Sequence, residues 1–359
     1  SSGGVFPALA KKVIDEGGVV FGTVMEPDMI VGHTDAETME GVERMRGSKY
    51  VQSDPYSSLW DAKEYLKAGR KVLFTGTPCQ TAGLKRFLGG DHDGLLTVDV
   101  ACHGVPGPGL WEMYLNALKT RTQSNITSVT FRDKSRGWRH YRFVCRDMQG
   151  GSIINQKASD DPYMALFMQD MTLRPSCYNC PARGGRSGSD LTLADLWSVA
   201  GTAPALNDDR GVSGVLVNTP KGLEYLSGLN AENVMEIPVQ AVMEENGGFA
   251  QSVAVPEKRE EFFKGLGVAG LDVYRYMKKF IVRKPLHVRL YRDLRSTLSK
   301  IKRTSLRWYP YKTQITKQHL TVWQTAISAV PSSCRKGIST PSWWAILCAA
   351  RFCCLTAHW

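Results

Sequence analysis

Apolar side chains recur at helical spacing over residues 5–16 (VFPALAKKVIDE), and Gly17-Gly18 ends the run. Residues 19–24 then form a short apolar stretch that suits a buried strand. Residues 35–46 and 57–69 return to helical spacing. The run KVLFT at 71–75 predicts a strand entering a Gly-Thr-Pro turn, and 80–88 predicts a helix behind it. A further strand over 95–101 (LLTVDVA) ends in a Cys-His-Gly-Val-Pro loop, with a helix at 109–120. Strand, loop and helix alternate, and that order implies a largely parallel sheet covered by helices.

The pattern changes after about residue 125. Residues 126–132, 141–147 and 152–156 are shorter runs with polar alternation and Gly-rich turns, which predict an antiparallel insertion. Residues 161–170 read as a helix, followed by a loop rich in Cys, Arg and Gly at 174–190. Strands are predicted at 190–195 and 213–218, and helices at 221–228, 256–265 and 269–304. The fold class is therefore α/β: a largely parallel sheet flanked by helices, an antiparallel β insertion, and a basic helical C-terminal tail. Three regions follow, 1–268 as the main domain, 269–317 as the basic extension, and 318–359 as an atypical tail.

Charge separates these regions. The chain of 359 residues carries a net charge of +11, yet residues 275–317 hold 14 Lys/Arg against the single acid Asp293. Residues 1–274 are net acidic, at −5. A nucleic-acid-binding body is therefore not expected. The basic segment fits either a phosphate- or membrane-facing helix or a solvated face. From Gln318 onward there is no Asp or Glu, and four of the nine Trp crowd together with four of the nine Cys. That end reads as disordered or out of frame, with a short membrane-surface anchor as the alternative. No apolar run reaches the ~18 residues of a membrane helix. No secretory leader pattern opens the chain, so a cytoplasmic location is expected. Ser1 rather than Met opens it, and a preceding segment is expected.

The remaining cysteines carry the chemistry. Cys79 follows one predicted strand in FTGTPCQ, and Cys102 follows the next in DVACHGVP. Both fall where a parallel sheet presents its carboxyl edge, the usual crevice for ligands. Cys177 and Cys180 form C-x-x-C in RPSCYNC, followed by Arg183 and Arg186. Such a pair offers two sulfurs to one metal or cluster, and two further thiolates would complete four ligands. Spacing alone leaves three readings open: an iron–sulfur cluster, a zinc site in which His103 could replace a thiolate, or buried inert thiols. Ser2, Gly3 and Gly4 ahead of the first helix fit a phosphate seat or a simple cap. The runs at 46–50 and 131–141 bring cations and aromatics suited to a dinucleotide, or form ordinary loops. Asp190 and Asp195 flank a strand and could bind polar cofactor groups or pair with Arg186.

Taken in order, SSGGVF (1–6), GSKYVQSD (47–54), FTGTPCQTAGLK (74–85), CHGVPGPGLW (102–111), FRDKSRGW (131–138), and LRPSCYNC with SDLTLADLW (173–197) resemble one family. It is the beta subunit of coenzyme F420-reducing hydrogenase and dehydrogenase, which includes 7-hydroxymethyl chlorophyll a reductase. The resemblance implies an oxidoreductase with FAD and a 4Fe-4S cluster. It would pass electrons between a cluster chain and a hydride carrier, coenzyme F420 or another small molecule. It further implies that Cys79, Cys102, Cys177 and Cys180 hold the cluster. Ser2, Gly3, Gly4, Ser48, Lys49, Thr77 and Asp190 then become candidates for FAD contact. A redox partner protein or ferredoxin-like domain would supply electrons. Where the family usually has Gly-Asp-Phe-Trp-Gly, this chain has Ala194-Asp195-Leu196-Trp197-Ser198, and the added methyl at 194 is expected to crowd a cofactor. The rival function is a zinc-stabilised binding module whose basic tail docks on nucleic acid or membrane.

Overall fold

A computed structural model of the chain describes residues 4–229, 234–282 and 354–358. The chain divides into two units, Ser1–Ile281 with Phe352–Trp359, and Val282–Arg351. Apart from Val282 the second unit lies outside the described residues, as do the expectations for 283–317 and most of 318–359.

The first unit opens with α1 (Val5–Asp15) and the hairpin β1 (Val19–Met25) and β2 (Val31–Ala36). Two helices, α2 (Met39–Met45) and α3 (Tyr56–Lys67), lead to β3 (Val72–Gly76), α4 (Pro78–Leu88), β4 (Leu95–Val100) and α5 (Pro108–Thr122). The insertion follows as β5 (Ser128–Asp133), β6 (Arg142–Arg146) and β7 (Ser152–Lys157), then α6 (Pro162–Met168). The chain returns through β8 (Leu191–Asp195), α7 (Val199–Thr202), β9 (Val212–Val217), α8 (Pro220–Ser227) and β10 (Val234–Ile237). Short helices α9 (Val239–Met243), α10 (Gly247–Ala250), α11 (Arg259–Gly265) and α12 (Val273–Lys279) follow, and β11 (Cys354–His358) is the last described strand.

The main sheet runs β2-β1-β3-β4-β8-β9, with β11 and β10 beyond β9. Strands β1, β3, β4 and β8 are mutually parallel, while β2 and β9 pair antiparallel at either side. This is the α/β sheet that strand–helix alternation predicts. Its two faces follow the period-2 pattern of the strands. Val20, Val24, Leu73, Leu96 and Val98 face α1, α2 and α8. Their neighbours Val19, Phe21, Val72, Phe74 and Leu95 face α3 and α4. Fully burying such a side chain contributes about 1.5–3 kcal/mol, so the alternation fixes which face meets which helices.

The insertion is a three-stranded antiparallel sheet in the order β5-β6-β7. It builds a separate core with α5, α6, α11 and α12, centred on Trp111, Tyr114, Phe131, Phe143, Tyr163 and Phe262. Cys145 is buried in this core as a small hydrophobe.

Two expectations need correction. The helix expected at 35–46 is shorter, because 31–36 pairs with β1 as strand β2. The polar residues of VGHTDA hide its alternation, and Met29 at φ +69 closes the hairpin in the Pro-Asp turn before it. The helix expected over 269–304 stops at Lys279 within the described residues. Asp272 caps its start by accepting from the Arg275 amide at 2.9 Å, and Phe280 packs into the insertion core. The short elements α7, α9, α10 and β10 have no readable periodicity.

Within the insertion core, Asp161 caps α6 by accepting from the Met164 amide at 3.0 Å, and it also accepts from Tyr114 and Gln156. Burial pushes its carboxyl up to about 6, although these donors favour the charged form. A raised carboxyl stabilises the fold fully below its unfolded value of 3.8, and that contribution is lost as pH rises through about 6. Removing the hydroxyl with Tyr114→Phe raises the carboxyl further, so its cost grows with pH. We expect a loss of about 1–2 kcal/mol near pH 8 and a smaller loss near pH 5, read from chemical denaturation midpoints. A cost larger at the acidic end would contradict the assignment.

Candidate functional site

The carboxyl ends of β3 and β4 are neighbours in register, with Gly76 beside Asp99. Cys79 therefore sits in the first turn of α4, directly after β3, and Cys102 lies two residues past β4. Cys177 lies in the short 3-10 turn Pro175–Asn179, and Cys180 immediately follows it. All four cysteines border one hollow, together with Thr77, Gly104, Val105 and Arg183. Gly104 adopts φ +131, and a methyl there would come within 2.8 Å of Leu173 and 3.3 Å of the Cys177 Cβ. Only glycine lets the two cysteine-bearing loops meet this closely.

The fold thus brings the four cysteines that the sequence singles out to the wall of one hollow. Among the described residues, no three or more His, Cys, Asp or Glu side chains are arranged as ligands of a single metal ion. The thiols border a hollow rather than converge on a point. Burial pushes the Cys102 thiol up to about 12, with the neighbouring Cys79 and Cys177 adding to the shift against Gly104 and Arg183. Burial likewise raises Cys177. Without a bound cation these two remain protonated, and a metal centre that ligates them must displace protons. The hollow is small, about 30 Å3, and the four thiols, Thr77 and Arg183 form its wall.

Two buried carboxylates fasten the loop carrying Cys177 and Cys180 to strand β4. Asp99 accepts from Ser187 at 2.6 Å and from Thr192 at 2.5 Å. Asp190 accepts from the Thr97 amide at 2.8 Å, the Thr97 hydroxyl at 2.7 Å and the Thr219 hydroxyl at 2.7 Å. Asp190 therefore joins β4, β8 and the head of α8. Arg186 donates to the Pro181 carbonyl. On the near side, the Arg174 amide donates to the Val105 carbonyl at 2.9 Å, next to the bridge between Pro106 and Leu173.

Thr77 belongs with the thiols. Its hydroxyl lies 3.2 Å from the Cys79 sulfur, and its amide donates to Gln80 Oε1 at 2.9 Å. Gln80 in turn donates to the Ser53 hydroxyl at 2.9 Å, so the 47–54 loop is tied to α4. Within that loop Lys49 directs its ammonium at the carbonyls of Arg44, Met45 and Arg46, at 3.0–3.2 Å, and closes the end of α2. Burial lowers it to about 8. Ser48 is partly buried beside it. Gly4 is buried at the head of α1, while Ser2 and Gly3 lie outside the described residues.

A second cluster at the same sheet edge is only half visible in the sequence. Asp195 ends β8 and forms an ion pair with Arg132 at 2.6 Å, both nearly buried. The Arg132 guanidinium lies over the Tyr141 ring at 4.7 Å and the Trp197 ring at 5.2 Å. Trp197 stacks on Trp138 at 4.5 Å between centroids. Two Arg132 nitrogens, Nε and Nη2, are buried without a hydrogen-bond partner among the described residues. Burial opposes the Arg132 charge, but Asp195 outweighs it and holds the guanidinium above its ordinary value. Sequence reading marks Asp195 and the 131–141 run that holds Arg132, Trp138 and Tyr141, but not that they meet. The Ala194 methyl lies within the apolar cluster around Trp138, Leu196 and Val212. Its side chain is therefore used in packing.

The family model for the C terminus of the coenzyme F420 hydrogenase/dehydrogenase beta subunit matches residues 69–241, a segment holding all four cysteines. Among solved structures, the chain is similar to one in the xenon-derivatised F420-reducing NiFe hydrogenase complex from Methanosarcina barkeri. The identity is 17%, the match covers 62% of this chain and 70% of that one, and the TM-score is 0.40. No curated protein matches the chain.

The Asp190 clasp gives a direct prediction. Asp190→Ala leaves buried donors without acceptors, and we expect a loss of about 2–4 kcal/mol. The loss should appear equally in protein stripped of metal and flavin, measured as a chemical denaturation midpoint. Unchanged stability of the stripped protein would show that Asp190 is not a structural clasp.

Proposed function

We propose that this chain, which belongs to the coenzyme F420 hydrogenase/dehydrogenase beta-subunit family, is an oxidoreductase that holds a 4Fe-4S cluster and FAD. The observation that carries this reading is the meeting of Cys79, Cys102, Cys177 and Cys180 around one hollow at the carboxyl edge of the sheet. Four cysteine sulfurs are the donor set of such a cluster. Arg183 supports the fit, because its buried Nε has no hydrogen-bond partner among the described residues and the side chain borders the same hollow. A guanidinium there offsets the negative charge of a thiolate-bound cluster.

When bound, FAD takes or gives a hydride as an electron pair, and the cluster carries electrons singly. The chain's own residues do the rest. Cys79, Cys102, Cys177 and Cys180 would hold the cluster as thiolates. Gly104 and Val105 bring backbone close to the sulfurs. Thr77 offers its hydroxyl to the Cys79 sulfur. FAD would be held by residues drawn from Ser2, Gly3, Gly4, Ser48, Thr77 and Asp190, with the Arg132–Asp195 pair as a further candidate at the same sheet edge. Lys49 would take part by holding the 47–54 loop, since its ammonium is engaged with the end of α2. Among the described residues no helix is long and apolar enough to cross a membrane. Electrons would pass to or from a redox partner protein, and the hydride to or from a small carrier such as coenzyme F420.

Anaerobic purification with iron, sulfide and flavin analysis tests the proposal. The chain should carry iron and sulfide together with FAD. Cys177→Ala should lose most of the iron while its circular dichroism stays that of the parent. One zinc per chain with neither iron nor flavin would overturn the reading.

A further inference from the structure

The segment 246–252 lies beyond the residues the family model matches, and nothing in its sequence marks it. It is nevertheless wrapped onto the thiol hollow from outside. The Cys180 amide donates to the Ser252 hydroxyl at 3.0 Å. The Gly184 amide donates to the Phe249 carbonyl at 2.8 Å. Asn246 donates from its side chain to the Asp195 carbonyl at 3.0 Å, so the same segment touches the end of β8. Gly248 presses on the Cys102 loop: a methyl there would fall 2.9 Å from the His103 Cα and 3.1 Å from the Cys102 carbonyl oxygen.

Arg183 is the hub of these contacts. It is 3% exposed. One end of its guanidinium donates to the Gly248 carbonyl and, at 3.3 Å, to the Gln251 carbonyl. The other end donates to the His103 carbonyl at 2.8 Å. A single planar fork thus joins the C-x-x-C loop, the Cys102 loop and the 246–252 segment. Its Nε is left without a partner among the described residues, and the side chain borders the hollow alongside all four thiols. Among the described residues no carboxylate forms an ion pair with it. A buried cation beside four thiols, held by neutral carbonyls alone, is poorly compensated until an anionic group lies next to it.

We propose that Arg183 is a positioning residue of the metal centre: its buried charge stabilises the more reduced, more negative state of a thiolate-ligated cluster, and its three carbonyl contacts lock the 246–252 segment over that centre. This rests on the iron–sulfur reading above. The charge acts through a low-dielectric wall, where a nearby cation has its largest effect on an electron added to the cluster. The fork acts mechanically, by holding Gly248 against the Cys102 loop and thereby limiting access to the sulfurs. A lysine can supply the first effect but cannot span three carbonyls, so the two effects separate by substitution.

The test uses the full chain, purified anaerobically with its iron, in three forms: parent, R183Q and R183K. Potentiometric titration followed by electron paramagnetic resonance gives the one-electron potential, and a chelator gives the rate of iron release. R183Q should keep iron and shift to more negative potential by at least tenfold in the reduction equilibrium, which is 59 mV for one electron. R183K should stay near the parent potential but release iron about tenfold or more faster, the usual size of an outer-shell loss. Iron-loaded R183Q with the parent potential would overturn the inference while leaving the iron–sulfur reading intact. If R183Q holds no iron, R183K decides, and a parent-like release rate in R183K overturns the inference. A parent chain without iron removes the reading on which the inference stands, and the inference with it.

Discussion

The structure hangs on the attachment of one loop to one strand. β4 carries Cys102 at its end, and its buried positions Thr97 and Asp99 are polar where a central parallel strand would ordinarily be apolar. Those two residues exist to be paired. Asp99 takes the hydroxyls of Ser187 and Thr192, and Thr97 takes Asp190 by both amide and hydroxyl. The loop from Cys177 to Asp190 is thereby sewn to β4 by fully satisfied buried polar groups. Any one of them left unpaired costs more than an apolar substitute would. The four thiols meet because this attachment leaves the loop one place to lie.

From that constraint the rest of the site follows in layers. The parallel register of β3 and β4 brings Cys79 beside Cys102. Gly104 removes the side chain that would keep Cys177 away. Arg259 of α11 then holds the outside of the loop, donating to the Leu173 carbonyl at 2.8 Å and to the Tyr178 hydroxyl at 3.1 Å. His103, next to Cys102, lies 2.6 Å from Asp170 and packs edge-on against Phe167, on which Tyr50 stacks. The 47–54 loop is thus one aromatic ring away from the Cys102 loop. The two regions assigned to different cofactors are parts of one packed edge.

Much of this was legible in the residues. The alternation of strand and helix and the antiparallel insertion have strong local signatures, and Cys79 and Cys102 lie past the strand ends where the pattern puts them. What was not legible has a physical reason in each case. β2 was hidden by His33 and Thr34, polar residues on a strand whose buried face is narrow. The structural part of Asp190 shows only when its donors from Thr97, 93 residues away, are brought beside it. The 246–252 segment has no periodicity and contributes mostly backbone carbonyls, which no side-chain pattern announces. Arg132 and Arg183 stand in runs that the sequence marks, but their burial and their partners come only from the fold.

The proposed centre requires four scattered cysteines to ligate one polynuclear iron site. X-ray absorption at the iron edge of the anaerobically purified chain reads those ligands. An all-sulfur first shell with a second shell of neighbouring iron atoms is the expected result. A spectrum from zinc alone, with no metal–metal scattering, would contradict it.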